Sequence, residues 1–332
     1  MAALLKLLVL LAAVIIVGST LSRPDDTPEP VLEIRDLVQP PQPTQPPPPA
    51  PQSPPAPAQP AAPALTPLQP PSLPLPVPPP NPLPPLLQPL MQLFPEPRLS
   101  DREFYDRFSG SVIQVLCHSR EELFTASGVI VNDRGLVLTN GHVAQIVADT
   151  GPKNCQARHG NPAERFAGLE VAYIADITLK IPETEVPQRD LAFLRLVEPE
   201  SLFSVAPVSV ALLERGEHVL TLGYPSEFLQ SIITSANSNL VFSALAVGGY
   251  ADVDDNLSTA EGYVFIGGII LQQGSSGTAI FTRRGEVAAL MFATTKGATT
   301  ADRKGIALTT PYMDKVLRLE TGQGLLEFVE NR

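Results

Sequence analysis

From about residue 101 onward the chain alternates short apolar runs with clusters of turn residues, and no run is long. Period-2 alternation or short β-branched runs bounded by Gly, Asn, Asp and Pro mark strands. This pattern predicts strands over 111–117, 123–131, 136–139, 166–174 and 191–197. A second group is predicted over 219–223, 232–247, 263–271, 279–281, 287–294 and 305–309. The run Asn132-Asp133-Arg134-Gly135 between two apolar segments reads as a hairpin turn. Helical periodicity is weak. Residues 103–108 suggest a short helix, and 311–326 suggest a closing amphipathic helix that opens on Pro311 and carries Met313, Val316, Leu317 and Leu319. Many short strands in two groups imply an all-β domain of two antiparallel barrels or sandwiches.

The first hundred residues follow other rules. Residues 1–22 are mostly apolar, and the twenty from Ala2 to Leu21 carry one charge, Lys6, a length that can span a bilayer with Lys6 at the interface. The same stretch has a signal-peptide-like core over 7–17 and small residues at Val17-Gly18-Ser19. Both readings, membrane anchor and cleaved signal, send the rest of the chain across a membrane. Lys6 before the span favours a cytoplasmic N-terminus, which places the residues after the span on the extracytoplasmic side; the alternative is a secreted or periplasmic protein. Residues 23–97 read as a proline-rich, disordered linker, and 98–332 as the globular domain. Within the linker, 31–38 could form two helical turns, and 83–94 is apolar enough to dock on the domain. Of the 38 prolines, 26 lie between Pro40 and Pro95, a tract without a charged residue. Such a tract adopts polyproline II and extends up to roughly 170 Å, which suits a spacer or a ligand for a proline-binding module.

Charge narrows the partners. The net charge is −11, most of it after residue 100, so a nucleic-acid-binding role is not expected. Cys117 and Cys155 are the two cysteines. They could form one bridge in an oxidising compartment or remain unpaired core residues. His118, His159 and His218 lack metal-ligand spacing, and no metal or other cofactor is expected. The acids around Asp252 to Asn256 lack the Gly and Glu of a calcium loop and read as an acidic surface loop.

The candidate chemistry centres on Gly274-Ser275-Ser276-Gly277, between two β-patterned runs. A serine in a tight Gly-flanked turn can be a nucleophile if a base takes its proton, and the glycines let backbone N–H groups converge on a developing oxyanion. Upstream, His142 follows Leu-Thr-Asn-Gly at a predicted strand end, where a side chain can face a cleft. Asp190 opens the run Leu-Ala-Phe-Leu-Arg-Leu, with Asp176 as its competitor.

In the order His, Asp, Ser these residues resemble the triad of the trypsin-like serine peptidases. The resemblance is closest to the HtrA-like branch of that family. It rests on Ser127-Gly-Val-Ile, Leu138-Thr-Asn-Gly-His142-Val, Asp190-Leu-Ala and the Gly274-Ser-Ser-Gly loop, and it covers about residues 105–325. The loop departs from the family's Gly-Asn-Ser-Gly-Gly at Ser275 and Thr278, Ala279 follows where the family has Pro, and the smaller Ser275 suggests a less preformed loop. The resemblance implies two β-barrels, about 105–205 and 206–310, and a C-terminal helix about 311–326. His142 would be the general base, Asp190 its orienting acid and Ser276 the nucleophile, with the N–H groups of Gly274 and Ser276 as oxyanion hole. The implied function is a serine endopeptidase acting on proteins or peptides through an acyl-enzyme, held outside a membrane by its N-terminal helix. About 56 residues follow Ser276, and the second barrel uses most of them, so no PDZ domain is expected. The rival readings are an inactive protease-fold scaffold and an adaptor working through its proline tract.

Overall fold

Asn132 turns the first hairpin because its Oδ1 accepts from the N–H groups of Arg134 at 3.1 Å and Leu136 at 2.9 Å. It joins β3 (Leu123–Ile130) to β4 (Leu136–Thr139) in a computed structural model. The structure describes residues 32–33, 98–118, 123–181, 186–225, 238–254, 259–272, 274–295 and 299–332. Before β3 lie a short strand β1 (Leu32–Glu33), helix α1 (Asp101–Phe108) and β2 (Val112–His118). After β4 come α2 (Gly141–Thr150), β5 (Cys155–His159), β6 (Glu164–Ile174) and β7 (Ala192–Val197). Strands β2-β3-β4-β7-β6-β5 close into an antiparallel barrel. Strands β2, β4 and β7 are buried on both faces over most of their length, which explains why they read as continuous apolar runs, whereas β5 and β6 leave several positions partly exposed. Ile113, Val115, Ile130 and Val137 pack with Val143 and Val147 of α2, while Val112, Val129, Leu136 and Leu138 pack towards the second half.

The second half contains β8 (His218–Gly223), β9 (Val241–Ala246), β10 (Gly249–Asp252) and β11 (Gly262–Ile266). It continues through β12 (Ala279–Phe281), β13 (Val287–Thr294) and β14 (Lys304–Thr309). The expected second barrel is here a sheet ordered β1-β10-β11-β14-β13-β12-β8-β9, with no ladder joining its two ends among the described residues. One bent stretch bridges those ends instead. Val247 exchanges backbone hydrogen bonds with Gly216 and Glu217 beside β8, and the next residue, Gly248, donates to Val264 of β11 at 2.8 Å.

The terminal helices cross over the two halves. Helix α1 is opened by a capping box between Ser100 and Glu103 and lays Phe104 and Phe108 on Phe281 of β12, with ring centroids 5.0 and 5.5 Å apart. At the other end, α3 (Thr310–Thr321) and α4 (Leu325–Asn331) reach back to the first barrel. Phe328 packs on Phe193 and Tyr173 at 4.8 and 5.3 Å, and Asn132 Nδ2 donates to the Val329 carbonyl at 2.8 Å.

Several sequence expectations need correction. The single closing helix over 311–326 is two helices, because Gly322 at φ 77° ends α3 in the left-handed conformation that glycine accepts without strain. The predicted strand 263–271 stops at Ile266, where Gly267 and Gly268 turn the chain. Helix α2 and strands β5 and β10 lie where no element was predicted. Leu32–Glu33 pairs in parallel with Ala251–Asp252 rather than forming a helical turn. The other residues of the expected anchor, 1–22, and of the linker, 23–97, lie outside the described residues. No described helix is long and apolar enough to cross a membrane.

Cys117 and Cys155 sit directly opposite each other on β2 and β5 and are joined in a disulfide, with Cα atoms 4.1 Å apart.

Phe281 is fully buried beneath α1, so Phe281→Ala should cost about 3–5 kcal/mol of stability. Leu202, 96% exposed, should change stability by less than about 0.5 kcal/mol when cut to Ala. Urea unfolding of both variants beside the parent chain measures the contrast.

Candidate active site

His142 lies in the first turn of α2, immediately after Gly141, and not in the strand-end turn expected from sequence. The buried positions Val143, Ala144 and Val147 follow the helical period that holds α2 to the barrel. Asn140, the residue before the helix, makes no capping bond to the helix; its Nδ2 donates to the Asp190 carbonyl at 3.0 Å. The cap comes from a distant residue. Asp190 Oδ1 accepts from the His142 backbone N–H at 2.8 Å, and Oδ2 is 2.7 Å from ring atom Nδ1. Asp190 is fully buried, so its carboxylate depends on these partners and on the positive end of the helix. With Nδ1 carrying the proton donated to Asp190, Nε2 is left as the basic lone pair.

Asp176, the competitor, is exposed and turned to its own loop: its carboxylate accepts from Thr178 N–H at 3.0 Å and Thr178 Oγ1 at 2.5 Å. Those bonds hold its carboxyl below the usual range.

The two serines of the loop differ. Ser275 is fully buried, and its hydroxyl donates to the Ile270 carbonyl while its N–H bonds Gln272 O at 3.1 Å. The bond to Ile270 closes the turn, so the small side chain that suggested a loose loop is itself the tie. Ser276 is partly exposed, and its carbonyl accepts from Ser127 N–H of β3 at 2.8 Å. Among the described residues no hydrogen bond joins the Ser276 hydroxyl to His142, and neither the Gly274 nor the Ser276 N–H donates to a protein group. Gly277, at φ 79°, presses on the Ser127 carbonyl and Thr139 Oγ1 where any Cβ would collide.

Ser127 thereby joins four segments. Its N–H holds the loop, its carbonyl accepts from Thr139 Oγ1 at 2.8 Å, and its Oγ accepts from Tyr224 N–H at 2.9 Å. Thr139 ends β4, three residues before His142, so the serine loop is registered on the strand that leads to the imidazole. The motif around Ser127 was visible in the sequence, but its partners were not: Tyr224 is 97 residues away.

Leu271 and Met291 crowd Gly305 from the runs before the loop and along β13. Ile270, Leu271, Met291 and Phe292 are all buried, and these runs hold no carboxylate.

The remaining titratable groups lie elsewhere. His159 stacks on Phe166 at 4.2 Å, and burial lowers its pKa. His118 and His218 are exposed. Among the described residues, Asp252, Asp254 and Glu261 bring carboxylate oxygens within 4.8 Å of one another. Asp252 and Glu261 are buried, which corrects the surface-loop expectation, and Lys315 Nζ supplies a cation 3.0 Å from Asp254 Oδ2. Residues 255–258 of that loop lie outside the described residues.

The trypsin-like peptidase domain family matches residues 126–290. That span contains His142, Asp190 and Ser276. The chain carries a trypsin-like peptidase domain. Among solved structures, a serine endoprotease from Yersinia pestis aligns at 20% identity and TM-score 0.47, covering 69% of this chain and 70% of its own. A protease of M. tuberculosis in an inactive form aligns at 17% identity and TM-score 0.47, covering 68% of this chain and 97% of its own. No curated protein matches in sequence.

Within this peptidase domain, burial first and the Asp254 charge second raise the Glu261 pKa against the Thr259 hydrogen bond. A raised folded-state value means that the folded protein binds the proton more tightly than the unfolded chain. Stability should therefore fall as pH climbs from about 4.5, the unfolded value, through the folded one. Glu261→Gln should match the parent near pH 4 and gain on it by pH 7, as read from urea midpoints at both pH values.

Proposed function

We propose that the protein is a serine endopeptidase in which Ser276, His142 and Asp190 form the triad. The carrying observation is Asp190, fully buried, gripping both the backbone N–H and the ring of His142. In this reading Ser276 Oγ attacks the substrate carbonyl as His142 Nε2 takes its proton. Asp190 stabilises the imidazolium that results. The tetrahedral oxyanion is met by the N–H groups of Gly274 and Ser276, which no described protein group engages. The intermediate collapses to an acyl-enzyme as Nε2 returns the proton to the leaving amine. Water, deprotonated by the same nitrogen, then releases the acid. Residues 1–22 would hold the domain outside a membrane, a reading supported by their apolar run. The mass of the mature N-terminus in a membrane fraction tests it, and a soluble protein starting near Thr20 would reject it.

The missing hydrogen bond between Ser276 and His142 favours one rival, an inactive protease-fold binding module. Catalytic hydrogen bonds often tighten only with substrate in place, so this geometry does not exclude the triad. A fluorophosphonate probe separates the two, since only a working triad is labelled.

Ser276→Ala should abolish peptide hydrolysis, a loss on the order of 10⁶ in kcat, with the fold intact by circular dichroism. Ser275→Ala should cost far less, and the reverse pattern would reassign the nucleophile.

The apolar runs around Leu271 and Met291 offer no carboxylate to a buried substrate cation. Cleavage should therefore follow small or medium apolar residues. A peptide-library profile dominated by Arg or Lys would contradict this specificity.

A further inference from the structure

Glu320 stands near the C-terminal end of α3, where the negative end of the helix disfavours a carboxylate. It is nevertheless largely buried, its side chain 18% exposed, and three donors from the first barrel converge on it. Arg189 Nη1 lies 3.1 Å from Oε1. The Asp176 N–H reaches Oε1 at 3.2 Å, and the Tyr173 hydroxyl donates to Oε2 at 2.6 Å. Burial and then the bond to Glu320 push the Tyr173 phenol well above its ordinary pKa, so it stays a donor. A carboxylate placed against its helix dipole and surrounded by donors from another element points to a task other than stabilising α3.

The donors lie on the two segments that frame the His142–Asp190 pair. Arg189 adjoins Asp190, and the carbonyl of the preceding Gln188 accepts from Tyr312 of the same helix at 3.4 Å. Asp176 follows Ala175, whose N–H bonds the Leu191 carbonyl at 3.0 Å, and precedes Ile177, which fills the space beside Gly141 at the start of α2. The Asp190 carboxylate is bonded by His142 through two groups, so its aim depends on how firmly its own backbone is held.

We propose that Glu320 is a positioning residue for the His142–Asp190 pair, binding through Arg189, Tyr173 and the Asp176 N–H the backbone on which Asp190 stands. The seating of the C-terminal helix thereby sets the competence of the base. This inference rests on the triad reading above.

The test uses the full chain and a fluorophosphonate probe, with the inactivation rate constant measured from pH 5 to 9. Glu320→Gln keeps the shape and removes the charge. Its plateau rate above the imidazole titration should fall, by up to about 100-fold, with the probe's binding constant unchanged. A change in imidazole pKa alone would leave that plateau nearly in place. Arg189→Met should lower the plateau likewise, and the double variant should be no worse than the more severe single one, as expected of residues acting as a unit. A readout independent of activity is the downfield proton NMR resonance of His142 Nδ1–H at low pH, which should exchange faster in Glu320→Gln. Folded Glu320→Gln protein that keeps both the parent plateau and the parent resonance overturns the proposal. Should Glu320→Gln fail to fold, Arg189→Met and Tyr173→Phe, which each remove one donor, carry the same expectation. If the parent chain is not labelled at Ser276, the nucleophile assignment fails, and the His142 resonance alone then decides the role of Glu320.

Discussion

The structure turns on one buried carboxylate. Asp190 has no access to water, so its charge is tolerable only where donors replace the solvent. Two of them come from His142, one from its backbone and one from its ring. The first doubles as the cap that α2 lacks locally, since the Asn140 side chain makes no bond to the helix and its Nδ2 donates to the Asp190 carbonyl. Helix position, imidazole orientation and charge burial are thus a single constraint. To displace Asp190 is to uncap the helix and release the ring together.

The serine loop reaches that pair from the second half of the molecule, and the two halves share one apolar cluster and are registered at several places. Ser127 is one: it meets the serine loop, β4 and the chain after β8 through three hydrogen bonds, and Gly277 keeps the contact close by having no side chain. The crossed terminal helices are another. Helix α1, from the N-terminal side, buries its phenylalanines on the second sheet, while α4 buries Phe328 on the first barrel. Each half is therefore covered by chain belonging to the other end of the sequence. Aromatic contacts of this kind are large apolar areas with defined geometry, so they fix orientation as well as add stability. Motion of one half against the other would expose both aromatic clusters at once.

Strand edges and turns were plain in the sequence where local chemistry decides them. β4, β12 and β13 coincide with the predicted 136–139, 279–281 and 287–294, because turn residues bound each apolar run. Helix α2 was obscured because it opens on Gly141, a poor helix former, and has Val143 rather than Glu or Gln at its third position, so Asn140 stood at the N-cap without a capping box to announce the helix. β5 and β10 escaped notice because Cys155-Gln-Ala-Arg-His and Gly249-Tyr-Ala-Asp are polar or small and become strands only by pairing with β2, β6 and β11.

By itself the sequence determined an all-β domain after residue 98 and the candidate residues His142, Asp190 and Ser276, since residue types at set distances from strand ends are local information. It could not rank Ser275 against Ser276 by physics, nor Asp190 against Asp176. The tertiary structure separated them by burial and bonding: Ser275 is tied inward to Ile270, and Asp176 is turned to Thr178. It alone brought Ser127 to Tyr224 and Glu320 to Arg189, across 97 and 131 residues. Contacts at such separations leave no periodic trace in the chain. They arise because barrel closure and helix packing make neighbours of segments whose local sequences are independent of one another.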